Sequence, residues 1–242
     1  MSRYAIVRVT LLTPLALGKD GDSLPVLDSI LLHRCCLMTS GDVDAGRRLL
    51  PLDRFTLGDA ESAVWACGGA YFNRAVDGRL VEHRYVYQKF TDDRGLRELA
   101  YENMKGVKPG TWPNRLTNVM GRSYLAAGES RYSVVHATEV SFRMRGDPEA
   151  VVNLLSLEPY LGPGHSVGFG EIGDVSYEEH VGCDDAWLLV DDADRLTRPI
   201  PAELATSMGV KITAAWEDAV RVQAPYWMGP RVRGFRPVAL TA

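Results

Sequence analysis

The chain has 242 residues, of which 46% are hydrophobic and 24% charged, the composition of an ordinary globular protein. Its net charge of -4 excludes a uniformly basic surface, so any nucleic-acid-binding face has to come from local segregation of charge. No apolar run reaches the ~20 residues of a membrane span, and the four cysteines have no CxxC pair. We therefore expect a cytosolic protein with reduced, mostly buried thiols and no membrane partner.

The first part of the chain predicts a strand followed by a helix. Residues 4–12 alternate in polarity and are rich in β-branched side chains, which indicates a strand. Apolar residues then recur at spacings of three and four, with Ser23 as a candidate N-cap and Gly41 as the stop. The predicted apolar stripe consists of Leu24, Leu27, Leu31, Cys35 and Met38.

A hairpin and a basic segment follow. Residues 64–74 and 80–90 predict two aromatic-rich arms joined at Asp77-Gly78, because Asp-Gly is a strong hairpin signal. Residues 103–128 contain Lys105, Lys108, Arg115 and Arg122, interleaved with Trp112 and Tyr124, and no acidic residue. This pattern predicts a long basic loop that contacts RNA, since aromatic rings stack on bases and cations bind phosphates. A solvated charged face is the alternative.

The next stretch predicts one strand over residues 133–145, with Val140, Phe142 and Met144 on one face and Arg143 and Arg145 on the other. Asp147-Pro148-Glu149 then supplies an N-cap, an N1 proline and a first-turn acid for a helix that ends near Pro159.

Nine carboxylates and no Lys or Arg occupy residues 171–194. They surround a strand at 171–177 and an apolar run at 187–190, which we interpret as an edge strand. Because the carboxylates are scattered, we expect a solvated surface or a face toward a basic partner, with no metal site.

A further strand is expected near residues 220–223. Four arginines and no acid follow Ala219, which either extends a basic surface or solubilises a tail: Arg221, Arg231, Arg233 and Arg236.

Residues 162–170 contain four glycines between a predicted helix and a predicted strand. A dinucleotide fingerprint has the opposite order, strand before helix, so this reading is excluded. Successive backbone N–H groups of such a loop can bind phosphates, and a structural turn is the alternative. The skeleton strand–helix–insertion–strand–helix–loop–strand predicts an α+β, ferredoxin-like domain. It would span residues 1–242, with the hairpin and basic loop inserted at about 60–130.

Three segments carry a family resemblance. They are Gly164-His165-Ser166-Val167-Gly168-Phe169-Gly170, then Leu11–Leu15 with Leu24–Leu31, and Ala224-Pro225-Tyr226-Trp227. The chain resembles the RAMP superfamily of CRISPR-associated proteins, and within it the subunit that caps the CRISPR RNA 5′ handle in type IV effector complexes. Ala224 departs from the proline of that group's closing motif, and residues 42–130 match no motif.

The resemblance implies an RRM-related fold and a non-catalytic subunit without cofactor or metal. Its implied partners are the 5′ handle of the CRISPR RNA, the backbone and large subunits of the effector complex, and target DNA next to the protospacer. The predicted RNA contacts lie in the glycine loop, the basic segment and the strand after it: Gly164, His165, Ser166, Gly168, Gly170, Lys105, Lys108, Trp112, Arg115, Arg122, Arg131, Arg143 and Arg145.

Two other functions stay open at this point. The chain could be a metal-independent endoribonuclease that processes precursor CRISPR RNA, with His165 as general acid or base and His83 or His136 as its partner. It could also be a scaffold in which the glycine loop is only structural.

Overall fold

A computed structural model of the protein describes residues 3–17, 24–72, 81–87, 128–163, 168–210, 215–226, 228 and 230–238, with the backbone alone over 81–87 and 128–133. The chain divides into two compact units, Met1–Glu82 with Tyr132–Ala242, and His83–Arg131. No helix in the described ranges is long and apolar enough to cross a membrane.

The fold is α+β, with antiparallel sheets and few helices. The helices in the described ranges are α1 (Leu27–Met38), α2 (Val43–Arg48), α3 (Pro148–Leu155) and α4 (Ala202–Ser207), with a 3₁₀ helix at Ala186–Leu189. The strands are β1 (Arg3–Leu11), β2 (Leu15–Leu17), β3 (Arg54–Leu57), β4 (Ala60–Trp65), β5 (Val81–Tyr87), β6 (Gly128–Val135), β7 (Glu139–Gly146), β8 (Ile172–His180), β9 (Ile200–Pro201), β10 (Ala215–Val220) and β11 (Val232–Pro237).

The main sheet has β1 at its centre, antiparallel to β7 on one side and β8 on the other. Residues 66–71 run antiparallel to β7 along the edge that faces away from β1. Gly68 N donates to Arg143 O at 2.8 Å, and Tyr71 N donates to Ser141 O at 3.0 Å. Three further groups of strands have the orders β2-β6-β5, β10-β11-β9 and β3-β4.

Two hydrophobic clusters form the core. The first joins the apolar residues of β1 and β7 to those of α1 and α3, including Val7, Phe142, Leu31 and Val151. Asp147 caps α3 by accepting a hydrogen bond from Ala150 N, and Pro148 occupies the first turn, as the sequence predicts. The second cluster gathers side chains of β3, β4, the 3₁₀ helix, α4 and the end of β10.

The predicted hairpin over residues 64–74 and 80–90 is wrong. The strand β4 pairs back onto β3, and β5 lies beside β6 in a different sheet. Between them, small residues let other segments approach closely: a Cβ at Gly69 would lie 1.9 Å from Thr197 O. This close packing directs residues 66–71 along β7, and an Asp-Gly signal cannot reveal it.

The single strand predicted over 133–145 is also wrong, because it is divided at residues 136–138. The chain between β1 and β2 bends at the same level, where Leu11 N donates to Thr138 O at 2.9 Å. The two antiparallel segments therefore leave one sheet and enter the next at the same level. The strand β1 pairs with β7 in the main sheet, and β2 pairs with β6 in the next.

Three smaller predictions need correction. Residues 187–189 belong to a 3₁₀ helix rather than an edge strand, because Asp184 and Asp185 accept hydrogen bonds that start a turn there. The strand expected near 220–223 ends at Val220. Met38 is 61% exposed, because α1 ends there and its last turn projects beyond the sheet core.

Candidate nucleic-acid interface

The glycine loop follows α3, and its base is tightly closed. Leu161 N donates to Gly170 O at 2.7 Å, and Gly170 N donates to Pro14 O at 2.8 Å. A Cβ at Gly170 would lie 2.0 Å from Leu161 O, and one at Gly162 would lie 2.7 Å from Ala16 O. Both glycines also have positive φ, so only glycine fits either position.

A structural role in the turn is therefore enough to explain why residues 162 and 170 are glycines. The N–H of Gly170 is already donated within the protein, which leaves it unsuited to bind a phosphate. Gly168 also has a positive φ, +88°, but a Cβ added there would meet no described heavy atom within 4 Å. No described residue therefore requires a glycine there by close approach. The tip residues Gly164, His165 and Ser166 lie outside the described residues.

Most of the predicted basic segment also lies outside the described residues, including Lys105, Lys108, Trp112, Arg115 and Arg122. Arg131 lies in β6 and His83 in β5, where only the backbone is described. His136 lies half-buried between β6 and β7 and has partners within the protein. The structure therefore does not bring His136 or His83 into a described arrangement with His165.

Arg143 is buried, although the sequence places it on the polar face of β7. Its Nη1 donates to Trp187 O at 3.1 Å and to Val190 O at 2.7 Å, and its Nη2 donates to Asp192. The guanidinium also lies over the rings of Tyr71 and Trp187, 5.1 and 4.6 Å from their centroids. These contacts anchor the 3₁₀ helix to the sheet and leave little of Arg143 for a ligand.

Arg145 is held in a similar way. Its Nε donates to Asp53 Oδ2 at 3.1 Å, its Nη2 to Arg54 O at 2.6 Å, and its Nη1 to Asp185. Tyr4 donates from its hydroxyl to the same Asp185 at 2.8 Å. Burial lowers the pKa of Arg145, but its interactions with Tyr4 and Asp185 outweigh burial, so that its pKa is raised.

The acidic stretch is thus not a purely solvated surface. Besides Asp185 and Asp192, the stretch contributes Glu178, which forms a salt bridge with Arg8, and Glu179, which forms one with Arg3. Its carboxylates neutralise arginines of β1 and β7 that are distant in sequence, which explains why the stretch needs no cations of its own. Among the described residues, no three His, Cys, Asp or Glu side chains are arranged to hold a metal.

A groove of about 580 Å³ lies beside the base of the glycine loop. The start of α1 forms one side of it, β10 and β11 form another, and Gly162-Pro163 of the loop line it. The charged residues that the structure describes in its lining are Arg221, Arg231, Arg236 and Asp218. Arg236 Nε lies 3.5 Å from Asp218 Oδ2, so these two side chains form an ion pair in the lining of the groove.

A buried polar network supports the wall of this groove. Asp28 and Arg198 are both 0% exposed, and Arg198 Nη2 donates to Asp28 Oδ2 at 3.1 Å. The Tyr226 hydroxyl donates to Asp28 Oδ1 at 2.9 Å and accepts from Arg198 at 2.7 Å. Arg198 also donates to the carbonyls of Trp65, Cys67 and Val222.

The network joins two segments that carry the family resemblance, since Asp28 belongs to residues 24–31 and Tyr226 to residues 224–227. Burial raises the pKa of Tyr226 well above its ordinary value, so the hydroxyl keeps the proton that it donates. Burial lowers the pKa of Arg198, but Tyr226 and Asp28 outweigh it, and the net pKa is raised. The guanidinium therefore stays charged while completely buried.

No family model matches the sequence, and no curated protein is similar to it. A similar solved structure is a chain of the "Cryo-EM structure of the Type III-B Cmr-beta bound to cognate target RNA". It is 13% identical to this chain, with a TM-score of 0.36, and the match covers 74% of this chain and 61% of that one. A likeness this low carries no argument about function.

Sequence reasoning did not place the groove arginines in the site. The signal was present, because four arginines and no acid follow Ala219. The sequence left open whether they belong to a binding surface or to a solubilising tail. The structure shows β11 paired with β10, so that Arg231 and Arg236 lie on a folded wall.

Proposed function

We propose that the protein is an RNA-binding subunit of a CRISPR effector complex, and that the glycine loop and the adjacent groove hold its guide RNA. The observation that carries this proposal is the meeting of Gly162-Pro163 with Arg221 and Arg231 in one groove. Among the lining residues that the structure describes there are three arginines and one aspartate, although the chain has a net charge of -4. Local positive charge of this kind attracts phosphates.

We propose further that the main sheet is ferredoxin-like. In chain order its strands are β1, residues 66–71, β7 and β8, with α1 after the first and α3 after the third. Their spatial order is β8, β1, β7, then 66–71, all antiparallel. Two interleaved βαβ units produce this order, and RRM domains bind RNA on sheets of this class.

The finer assignment, to a subunit that caps the RNA 5′ handle in a type IV complex, rests on the resemblance of the sequence segments. Two of these segments meet at Asp28 and Tyr226, which supports their belonging to one structural signature. In this role the protein would contact backbone and large subunits and lie near target DNA. Phosphate contacts of this kind position RNA without reading its sequence.

RNA binding is tested with the full chain and a labelled single-stranded RNA of about ten nucleotides, within the roughly 4–16 nucleotides that one OB-fold domain covers. We expect log affinity to fall with log salt by about 0.7 for each phosphate contacted. Arg122→Ala and His165→Ala should weaken binding, whereas Arg233→Ala is a control of equal charge outside the groove. Absence of binding at low salt would overturn the proposal.

Two further measurements address the finer claims. Bound to its partner subunits, the protein should protect the 5′ end of the guide RNA from exonuclease, and protection of only the 3′ end would contradict capping. We propose that the protein does not cleave RNA, as the family resemblance implies. Cleavage without metal would need a paired general acid and base. Specific products from repeat RNA in EDTA, lost in His165→Ala, would instead establish the endoribonuclease.

A further inference from the structure

We propose that Trp216 is a stacking platform for one base of the bound RNA, and that Arg231, on the same β10–β11 wall, contacts a phosphate of that strand. This inference deepens the proposed RNA-binding function and rests on it. The ligand chemistry is an aromatic base joined to phosphates. A single strand supplies both, and a free nucleotide is the other source that the experiment has to separate.

Trp216 exposes its ring although it belongs to a paired strand. Its side chain is 59% exposed, and no aromatic side chain in the described ranges is more exposed. Tryptophan is highly buried on average in folded proteins, and its large rigid ring is enriched where a protein meets another molecule. The exposure of Trp216 therefore points to contact with a ligand.

Strand pairing holds this ring in a fixed place. Trp216 lies directly opposite Arg236 in the β10–β11 ladder, and Asp218 follows two residues later on the same face of β10. Arg236 Nε lies 3.5 Å from Asp218 Oδ2, so an ion pair joins the two strands beside the ring. Because the backbone is already ordered, little affinity is lost to immobilising the platform on binding.

The groove continues the face that carries Trp216. Asp218 and Arg236 line the groove, and Trp216 adjoins both of them in the ladder. Ile30 and Val220 supply apolar surface to the same groove. A strand that stacks a base on Trp216 and follows this wall therefore stays in contact with the protein.

The charges of the wall favour a nucleic acid. The two carboxylates of β10 each pair with an arginine of β11, Glu217 with Arg233 and Asp218 with Arg236. Arg231 lines the groove, is exposed, and takes part in no ion pair with a described residue. A cation without a counter-charge attracts phosphate, and an exposed ring stacks on any base.

The separation of the two side chains requires a strand rather than a free nucleotide. Trp216 lies opposite Arg236, and Arg231 lies five residues before Arg236 along the chain. At about 3.4 Å per residue, the two positions are roughly 17 Å apart along the ladder. One mononucleotide is too short to place its base on the ring and its phosphate at Arg231, whereas a short single strand reaches both.

The test compares three variants and two controls in the full chain. Trp216→Leu removes the ring and keeps an apolar side chain, Trp216→Tyr keeps a ring, and Arg231→Gln removes the charge. Tyr177→Leu is the control for the ring, since Tyr177 is a strand aromatic of β8 that is 36% exposed. Arg233→Gln is the control for the charge, since Arg233 pairs with Glu217. Thermal unfolding checks that each variant is folded.

The probes are a single-stranded oligoadenylate of about ten nucleotides and an abasic strand of the same length, which keeps the phosphates and lacks the bases. Loss of one stacked base should lower oligoadenylate affinity about 5- to 150-fold in Trp216→Leu. Trp216→Tyr should recover most of this loss, and Tyr177→Leu should bind as wild type does. The abasic strand should bind Trp216→Leu and wild type equally.

Salt dependence and fluorescence separate the phosphate contact from the stacking. Trp216→Leu should keep the salt slope of wild type, whereas Arg231→Gln should reduce it by about 0.7 and Arg233→Gln should leave it unchanged. Oligoadenylate should quench tryptophan fluorescence more in wild type than in Trp216→Tyr, because a stacked base quenches the ring. Equal quenching by AMP at the same concentration would indicate a site for a free nucleotide and overturn the inference of a strand.

The outcomes separate this inference from the proposed function. If Trp216→Leu binds oligoadenylate as wild type does, the stacking platform is refuted, although RNA binding stands. Loss of partner subunits from the complex in that variant would then assign Trp216 to a protein interface. An unchanged salt slope in Arg231→Gln would refute the phosphate contact. If wild type binds neither strand, the RNA-binding function and this inference are both wrong.

Discussion

Replacing Asp28 with asparagine is expected to lower the free energy of unfolding by about 3–5 kcal/mol. The substitution keeps the shape of the side chain and removes its charge. Asp28 and Arg198 are 0% exposed, and the carboxylate is the acidic partner 3.1 Å from the guanidinium. Asparagine would leave a buried positive charge without a counter-charge, a far greater cost than the loss of one ordinary hydrogen bond.

Tyr226→Phe should cost less, about 1.5–3 kcal/mol, because it removes one hydroxyl that bridges the two charged groups and leaves their ion pair intact. The double variant should lose less than the sum of the two single losses, by about 0.5–3 kcal/mol. This follows because the hydroxyl has no carboxylate to bridge once Asp28 is replaced. Such coupling would show that the two resembling segments act through one network.

Urea unfolding followed by tryptophan fluorescence measures these differences, provided that the denaturant slope is the same in all variants. Asp44→Asn is the matched control, since Asp44 is also a first-turn helix aspartate paired with an arginine, but its side chain is 78% exposed. An exposed pair contributes at most about 1 kcal/mol. If Asp28→Asn proved no more destabilising than Asp44→Asn, the network would not hold this wall, and the reasoning would be refuted.

Three further predictions concern the loop, the sheet and the thiols. Gly170→Ala should destabilise the protein by about 2 kcal/mol or more, and Gly168→Ala by about 1 kcal/mol. Both variants strain a backbone of positive φ, but only the Cβ at residue 170 also clashes with Leu161 O, at 2.0 Å; equal melting curves would contradict this. Arg143→Met should lower the free energy of unfolding by about 2–4 kcal/mol, because the carbonyls of Trp187 and Val190 lose their donor, and it should change RNA affinity little. Normal stability together with weakened RNA binding would show instead that Arg143 contacts RNA. Burial raises the pKa of Cys67 to about 12, so iodoacetamide should modify it far more slowly than half-buried Cys183; equal labelling rates by mass spectrometry would contradict its burial. The stability that comes from keeping this thiol neutral should also fall as pH rises from about 9 to about 12, because the thiol ionises more readily in the unfolded chain.

The elements that depend on neighbouring residues could be predicted from the sequence. Asp147 and Pro148 start α3 as expected, because capping involves only the first turn of a helix. The alternation in residues 4–12 gives β1, and the glycines before Glu171 lie between a helix and a strand. The α+β class follows from this order of elements, and the non-catalytic role and the RNA contacts stay predictions.

Which segments pair, and which charges meet, could not be read from local patterns. Alternation assigns residues to two faces of a strand, but it does not show that the face of Arg143 is covered by Trp187 and Asp192. Small residues at 66–70 admit close packing with segments more than a hundred residues away, which overrides a local turn signal.

The candidate site illustrates the same division. The sequence by itself determined that a glycine loop follows a helix and that the C-terminal segment is rich in arginine. Only the tertiary structure brought Gly162, Arg221 and Arg231 to one groove and placed Asp28 and Tyr226 beneath it. The physical reason is that sequence patterns report local geometry, whereas burial and charge pairing depend on partners brought together by the completed fold.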